Sequence, residues 1–177
     1  MHSSFEKIFH KTTLDLSALI RSFEHLSDEQ INTPMQKNKW SIAQTMYHIN
    51  ESIEKTLRYI QKKIQYPETI EKTNFYTTVK SFLLNTTLRT DIKMKAPKGV
   101  VTLIPDHITL DEIKIKALNN SNTLQTLLEH FPDELVKRNV FKHPIAGRIT
   151  MYQTMQFIDE HLLHHARQVS GYLKENR

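Results

Sequence analysis

The chain has 177 residues, a typical length for one domain, and it contains ten histidines, three glycines and no cysteine. The absence of cysteine excludes disulfides, iron–sulfur clusters, cysteine-ligated zinc and a thiol nucleophile of the protein's own. The scattered glycines exclude a phosphate-binding loop or a glycine-rich dinucleotide turn, and the net charge of +5 says nothing about the fold.

Apolar residues at helical spacing predict four long helices. The first covers the amino-terminal stretch, where apolar side chains recur from Phe5 to Phe23. The second begins at a capping box formed by Ser41 and Gln44. It is expected to run for about 24 residues and to end before Pro67, because the residue preceding a proline disfavours helix.

The region after the second helix is less regular. A shorter helix is predicted over 74–88, where it would join the bundle or cover one end. The stretch 90–109 has no helical period and contains two prolines. Long connections of this kind tend to be lids or binding loops, so we expect this one to lie near a functional site.

The third and fourth long helices begin at further capping boxes. Thr109 with Glu112 begins the third, and Thr150 with Gln153 begins the fourth, which runs nearly to the carboxyl terminus after a short connection over 139–149. No apolar run is long enough to span a membrane, and the start of the chain does not have a signal-peptide pattern. We therefore expect one helical domain over 1–177, located in the cytoplasm and without a membrane part.

Histidine spacing on these helices predicts a metal site. His161 and His165 are four residues apart on the fourth helix, so both can ligate one ion, and both border its apolar stripe. A catalytic site has three protein ligands and an open position, so a third ligand should come from a facing helix. His48, at the edge of the apolar stripe of the second helix, is the candidate. The alternative is that His48 is an ordinary hydrogen-bonded histidine and that the pair is a coincidence.

The other histidines lack paired spacing. His164 lies one position off the pair and should point to a flanking surface, while His107 and His143 lie in the two irregular loops that could cover a site. The residue after His161 is Leu162, so the pattern lacks the glutamate of a zinc peptidase. Four histidines are expected to be surface residues with no role in a site: His2, His10, His25 and His130.

Three stretches share a pattern with a known family. Residues 40–49 have the pattern Trp-Ser-x-x-Gln-x-x-x-His, residues 142–153 form the loop into the last helix, and residues 157–169 contain His-x-x-x-His-x-x-Gln. In this order the three stretches resemble the DinB/YfiT-like superfamily of metal-binding four-helix bundles. The resemblance implies an all-α, up-and-down four-helix bundle with a short extra helix and a long loop near the metal site.

The resemblance also implies that His48, His161 and His165 are the metal ligands. Imidazole ligands suit zinc and nickel best among divalent ions, and three neutral histidines leave a position open for water. A ligating histidine usually donates its other ring N–H to an outer group. The candidates for contacts around the ligands are Gln44, Glu51, His164 and Gln168.

We expect a metal-dependent enzyme that acts on a small molecule. The resemblance implies either hydrolysis or transfer of a low-molecular-weight thiol, which would have to be exogenous because the chain has no cysteine. The alternative is a non-enzymatic bundle that binds a metal or a small molecule, and solvent access to the triad separates the two. No nucleic-acid partner is expected, because the basic residues form separate groups without interleaved aromatics. Bundles of this family often pair, so a homodimer is compatible with the resemblance.

Overall fold

The computed structural model describes residues 1–73, 79, 86 and 103–175. The helices are α1 (Ser3–Phe23), α2 (Asp28–Asn32), α3 (Ile42–Lys63), α4 (Leu110–Glu129) and α5 (Met151–Glu175). Two short 3₁₀ turns cover Pro67–Thr69 and Asp133–Leu135, and an antiparallel hairpin pairs β1 (Phe141–His143) with β2 (Gly147–Ile149). The prediction of a mostly helical fold with four long helices is confirmed. The predicted extra helix over 74–88, apart from residues 79 and 86, and most of the predicted loop over 90–109 lie outside the described residues.

Capping boxes begin three of the four long helices, as predicted. At α3 the Ser41 hydroxyl accepts the Gln44 N–H at 3.0 Å, and the Gln44 side-chain oxygen accepts the Ser41 N–H at 3.1 Å. The equivalent reciprocal pairs occur before α4 and before α5. Each cap satisfies backbone donors that the helix leaves free and contributes about 1 kcal/mol to stability. The start of each helix therefore follows from local side chains.

Helix α1 packs against α4 and α5, and α3 packs against the same two helices. Phe5, near the start of α1, contacts Phe131, which follows the end of α4. Glu24, just beyond the end of α1, pairs with Lys114 near the start of α4 at 3.3 Å. Helices α1 and α4 therefore run in opposite directions.

The directions of the other helices differ from a strict up-and-down order. Tyr59, near the end of α3, contacts Phe141 in the hairpin that precedes α5, so α3 and α5 are antiparallel. Asp28 of α2, which packs beside α3, accepts the Leu110 N–H at the start of α4, so α3 and α4 begin at the same end. A long connection between these two helices allows this parallel arrangement, because it gives the chain the length to return to the end where α3 began.

The core between the helices is apolar apart from a few buried polar contacts. Phe5, Phe23 and Leu128 are among the fully buried side chains, each worth roughly 1.5–3 kcal/mol in burial. Between α1 and α5, the buried Asp159 carboxylate accepts the Thr12 hydroxyl at 3.0 Å and the Lys11 ammonium at 2.7 Å. None of the described helices combines the length and apolar character that a transmembrane span requires.

Candidate metal centre

The antiparallel packing of α3 and α5 brings three predicted histidines together. His161 Nε2 lies 3.2 Å from His48 Nε2 and 3.2 Å from His165 Nε2. One candidate ligand atom from each of the three residues lies within 4.8 Å of the other two. His161 and His165 share a face because they are one helical turn apart, and α3 supplies His48 from the opposite side.

The separation of the nitrogens fits one shared metal ion. Two imidazole nitrogens at 2.0–2.1 Å from a tetrahedral zinc would be about 3.3 Å apart. The observed 3.2 Å between His161 Nε2 and each of its two neighbours is close to this value. The donor set and its spacing therefore suit a first-row divalent ion.

Burial keeps the three imidazoles neutral. Loss of water around the ring lowers the pKa of His165 to about 3, with the neighbouring His48 adding to the effect. The pKa of His161 is well below its usual value, and that of His48 is lowered too, again mainly by burial. A neutral imidazole has a lone pair free for a metal, so the site is ready to ligate at neutral pH.

Gln168 orients one of these rings. The Gln168 side-chain oxygen lies 3.0 Å from His165 Nδ1 and can only accept, so His165 Nδ1 carries the proton and Nε2 offers its lone pair to the cluster. The Gln168 amide N–H in turn donates to His164 Nε2 at 3.1 Å. The other ring nitrogen of His164, Nδ1, is buried and has no hydrogen-bond partner among the described residues. Gln168 and His164, both predicted near the ligands, thus form one hydrogen-bonded chain with His165.

The other two outer candidates make their hydrogen bonds elsewhere. Gln44 uses its side-chain oxygen to complete the capping box of α3. Glu51 pairs with Lys116 of α4 and with Lys55, 3.5 Å away on its own helix. Both residues lie about one helical turn from His48, as their spacing predicts. Gln44 nevertheless bonds to the helix cap, and Glu51 bonds to a lysine of the neighbouring helix.

Aromatic rings pack against two of the histidines. The Trp40 indole lies 5.0 Å from the His48 ring, and the Phe157 ring stacks on His161 at 5.5 Å with an interplanar angle of 12°. Sequence reasoning did not assign either residue to the site. The four-residue spacing of Phe157 and His161 could have predicted their contact, since residues four apart share a helix face.

Comparison with known proteins places this arrangement in a family. The family model of the DinB superfamily matches residues 11–169, which span most of the chain and include all three histidines. The chain belongs to the DinB superfamily. A search of curated proteins finds no match for it.

The solved structures include one similar to this DinB-superfamily protein. It is described as "YfiT from Bacillus subtilis is a probable metal-dependent hydrolase with an unusual four-helix bundle topology". The two chains share 18% sequence identity and superpose with a TM-score of 0.57, over 96% of this chain and 86% of the other. The likeness shows a shared fold.

His143 of this DinB-superfamily protein stabilises the hairpin before α5. Its Nδ1 accepts the backbone N–H groups of Ile145 and Ala146, each at 3.1 Å, across the turn. Its ring also lies 4.4 Å from Phe157, and burial lowers its pKa to about 4, so the ring is neutral. The Phe157 ring therefore lies between His143 and His161, so the loop that could cover the site does place its histidine nearby.

His107 lies elsewhere. It lines a cavity of about 620 Å³ between α3 and α4, together with Asn50 and Lys116. None of the three clustered histidines lines this cavity. Asn50 is two residues from His48, on a nearly opposite face of α3, so the helix separates the cavity from the histidine cluster.

The histidine cluster is partly exposed to solvent. His48 and His161 are half-buried, whereas His165 is buried with 8% of its surface exposed. His48 and His161 are therefore reachable from solvent, whereas the buried His165 is held by the exposed Gln168. Such a site can bind an ion through three neutral donors and still admit a small molecule.

Proposed function

We propose that this DinB-superfamily protein is a metal-dependent hydrolase with a divalent ion, zinc or nickel, held by His48, His161 and His165. The observation that carries the proposal is the convergence of three neutral imidazole nitrogens, two of them on the partly exposed side chains of His48 and His161. The description of YfiT as a probable metal-dependent hydrolase supports the same reaction class.

The chain's own residues would perform distinct tasks in this reaction. When bound, the ion would supply Lewis-acid activation of water at neutral pH. Gln168 holds His165 in the tautomer that ligates through Nε2, and Phe157 packs flat against His161. The partly exposed His48 and His161 would leave the site accessible to a substrate, and the burial of His165 would limit the access of water at that ligand.

The metal content of tag-free protein tests the first half of the proposal. Wild type loaded with zinc or nickel and then desalted should retain one ion per chain by elemental analysis. His48→Ala, His161→Ala and His165→Ala should each retain much less. His130→Ala is the matched control, because this histidine is exposed and its ring nitrogen contacts the Thr126 carbonyl at the end of α4, away from the cluster. Equal metal content in wild type and the three variants would overturn the proposed site.

An activity screen tests the second half. Metal-loaded protein should hydrolyse one or more members of a panel of small esters and amides, and a chelator should abolish the activity. A parallel panel pairs low-molecular-weight thiols with electrophiles. If the protein consumes thiol and electrophile in equal amounts and hydrolyses no ester or amide, the activity is thiol transfer instead. Metal binding with neither activity would favour a non-enzymatic role.

A further inference from the structure

Trp40 lies beside the candidate metal site on a hydrogen-bonded stretch of backbone. Its carbonyl accepts the Met35 N–H at 3.2 Å, and the next residue, Ser41, caps α3. The backbone on both sides of the indole-bearing residue is thus restrained, and the indole lies against the His48 ring with an interplanar angle of 49°. A group that binds at His48 would therefore lie close to the indole.

The two aromatic rings at the site differ in exposure. Phe157, which stacks on His161, is 9% exposed, whereas Trp40, which lies against His48, is 40% exposed. Phe157 is thus buried and packs against its histidine. Trp40 also contacts its histidine, the half-buried His48, but a large part of the apolar indole surface remains exposed to solvent.

We propose that the substrate of this site carries an apolar, preferably aromatic, group that packs on the exposed surface of Trp40 while its polar reacting group reaches the triad. This inference rests on the proposed hydrolase function and adds the substrate class. Aromatic stacking is directional and adds to the gain from removing apolar surface from water. A ring on Trp40 should therefore improve binding about 3- to 10-fold over a methyl group at the same place.

A pair of metal-directed probes measures this preference without knowledge of the natural substrate. Acetohydroxamate and benzohydroxamate share the same metal-binding group and differ only in a methyl or a phenyl substituent. Each is titrated into cobalt-loaded protein, and the visible absorption of the ion reports its dissociation constant. The affinity ratio is the affinity for benzohydroxamate divided by the affinity for acetohydroxamate. Comparison of this ratio between wild type and a variant cancels the intrinsic preference of cobalt for either probe.

The variants separate stacking from a general loss of structure. Trp40→Ala should lower the benzohydroxamate preference about 3- to 10-fold, and Trp40→Phe should keep most of it. Tyr66→Ala is the matched control, because Tyr66 is also an exposed aromatic residue, 52% exposed, but follows the far end of α3. It should leave the ratio unchanged.

A second measurement needs no variant. Trp40 is the one tryptophan of the chain, so the intrinsic tryptophan emission comes from this residue alone. In zinc-loaded wild type, benzohydroxamate should change this emission strongly, and acetohydroxamate should change it little.

The outcomes distinguish this inference from the proposed function. An equal affinity ratio in wild type and Trp40→Ala, or unchanged Trp40 emission at saturating benzohydroxamate, would overturn the substrate class and leave the metal site intact. If the protein takes up no cobalt, or binds neither hydroxamate once loaded, the proposed function is overturned, and the substrate class with it.

Discussion

Gln168 lies one helical turn after His165, and its side-chain oxygen accepts a hydrogen bond from His165 Nδ1 at 3.0 Å. The contact uses an uncharged amide, so it sets the tautomer and the orientation of the ring without adding a negative charge beside the three histidines. The same amide donates to His164, which makes Gln168 the link between a candidate ligand and the flanking surface of α5.

Removal of the Gln168 side chain should weaken metal binding. Loss of a group that hydrogen-bonds to a ligating histidine typically weakens metal affinity about 10–100-fold. Gln168→Ala should therefore raise the zinc dissociation constant by about that factor. Competition with a chromophoric chelator measures it. Gln168→Glu should retain much of the affinity because a carboxylate still accepts from Nδ1. Gln125→Ala, on the exposed face of α4, is the control, and a Gln168→Ala affinity equal to that of this control would contradict the prediction.

Metal binding should be visible in the emission of Trp40. The indole is 5.0 Å from the His48 ring, so an open-shell ion such as Co²⁺ or Ni²⁺ bound at the triad should quench most of the tryptophan emission. Zinc has a filled d shell and should not quench. A chelator should restore the signal, and His161→Ala should respond to cobalt no more than a tryptophan peptide does. Quenching that persists in His161→Ala would place the ion elsewhere.

The buried carboxylate between α1 and α5 should contribute to stability. Asp159→Ala would remove the acceptor of the buried Thr12 hydroxyl and of Lys11, and should lower the free energy of unfolding by about 1–3 kcal/mol. Asp15→Ala removes a second acidic partner of the same lysine at 2.8 Å. Asp15 is a more exposed residue, so its loss should cost under about 1 kcal/mol. Urea denaturation of the metal-free proteins compares the two, and equal losses would contradict this account.

Acid should destabilise the metal-free protein through His143. Burial lowers its pKa to about 4 from an ordinary value of 6.5, so the unfolded chain binds the proton more readily than the folded chain. The resulting stabilisation is complete above about pH 6.5 and is lost as the pH falls to about 4. It amounts to roughly 3 kcal/mol for this one group.

Denaturation of wild type and His143→Asn at pH 7 and at pH 4.5 checks this expectation. The asparagine side-chain oxygen can replace Nδ1 as acceptor for the Ile145 and Ala146 N–H groups, but it does not titrate. The variant should therefore lose less stability than wild type over this interval. The buried His165 titrates in the same direction in both proteins, so the difference between them isolates His143. Identical pH profiles would contradict the assignment.

Local sequence was enough to locate the long helices and two of the candidate ligands. Capping boxes act between residues three apart, and His161 and His165 share a face through one helical turn, so neither feature depends on the rest of the fold. The pairing of Gln168 with His165 also lies within one turn, which explains why its spacing pointed to the correct partner.

Tertiary packing decided the rest. His48 joins the pair because α3 runs antiparallel to α5, and the direction of each helix follows from how the connections return the chain, which periodicity does not encode. Glu51 and Gln168 each lie three residues after a histidine. Gln168 bonds to its histidine, whereas Glu51 pairs with Lys116 because α4 packs against that face of α3. The burial of Asp159 and the exposure of Trp40 likewise depend on which helix or loop covers them. Contacts within one turn are set by covalent spacing, whereas contacts between helices are set by the packing of all four together.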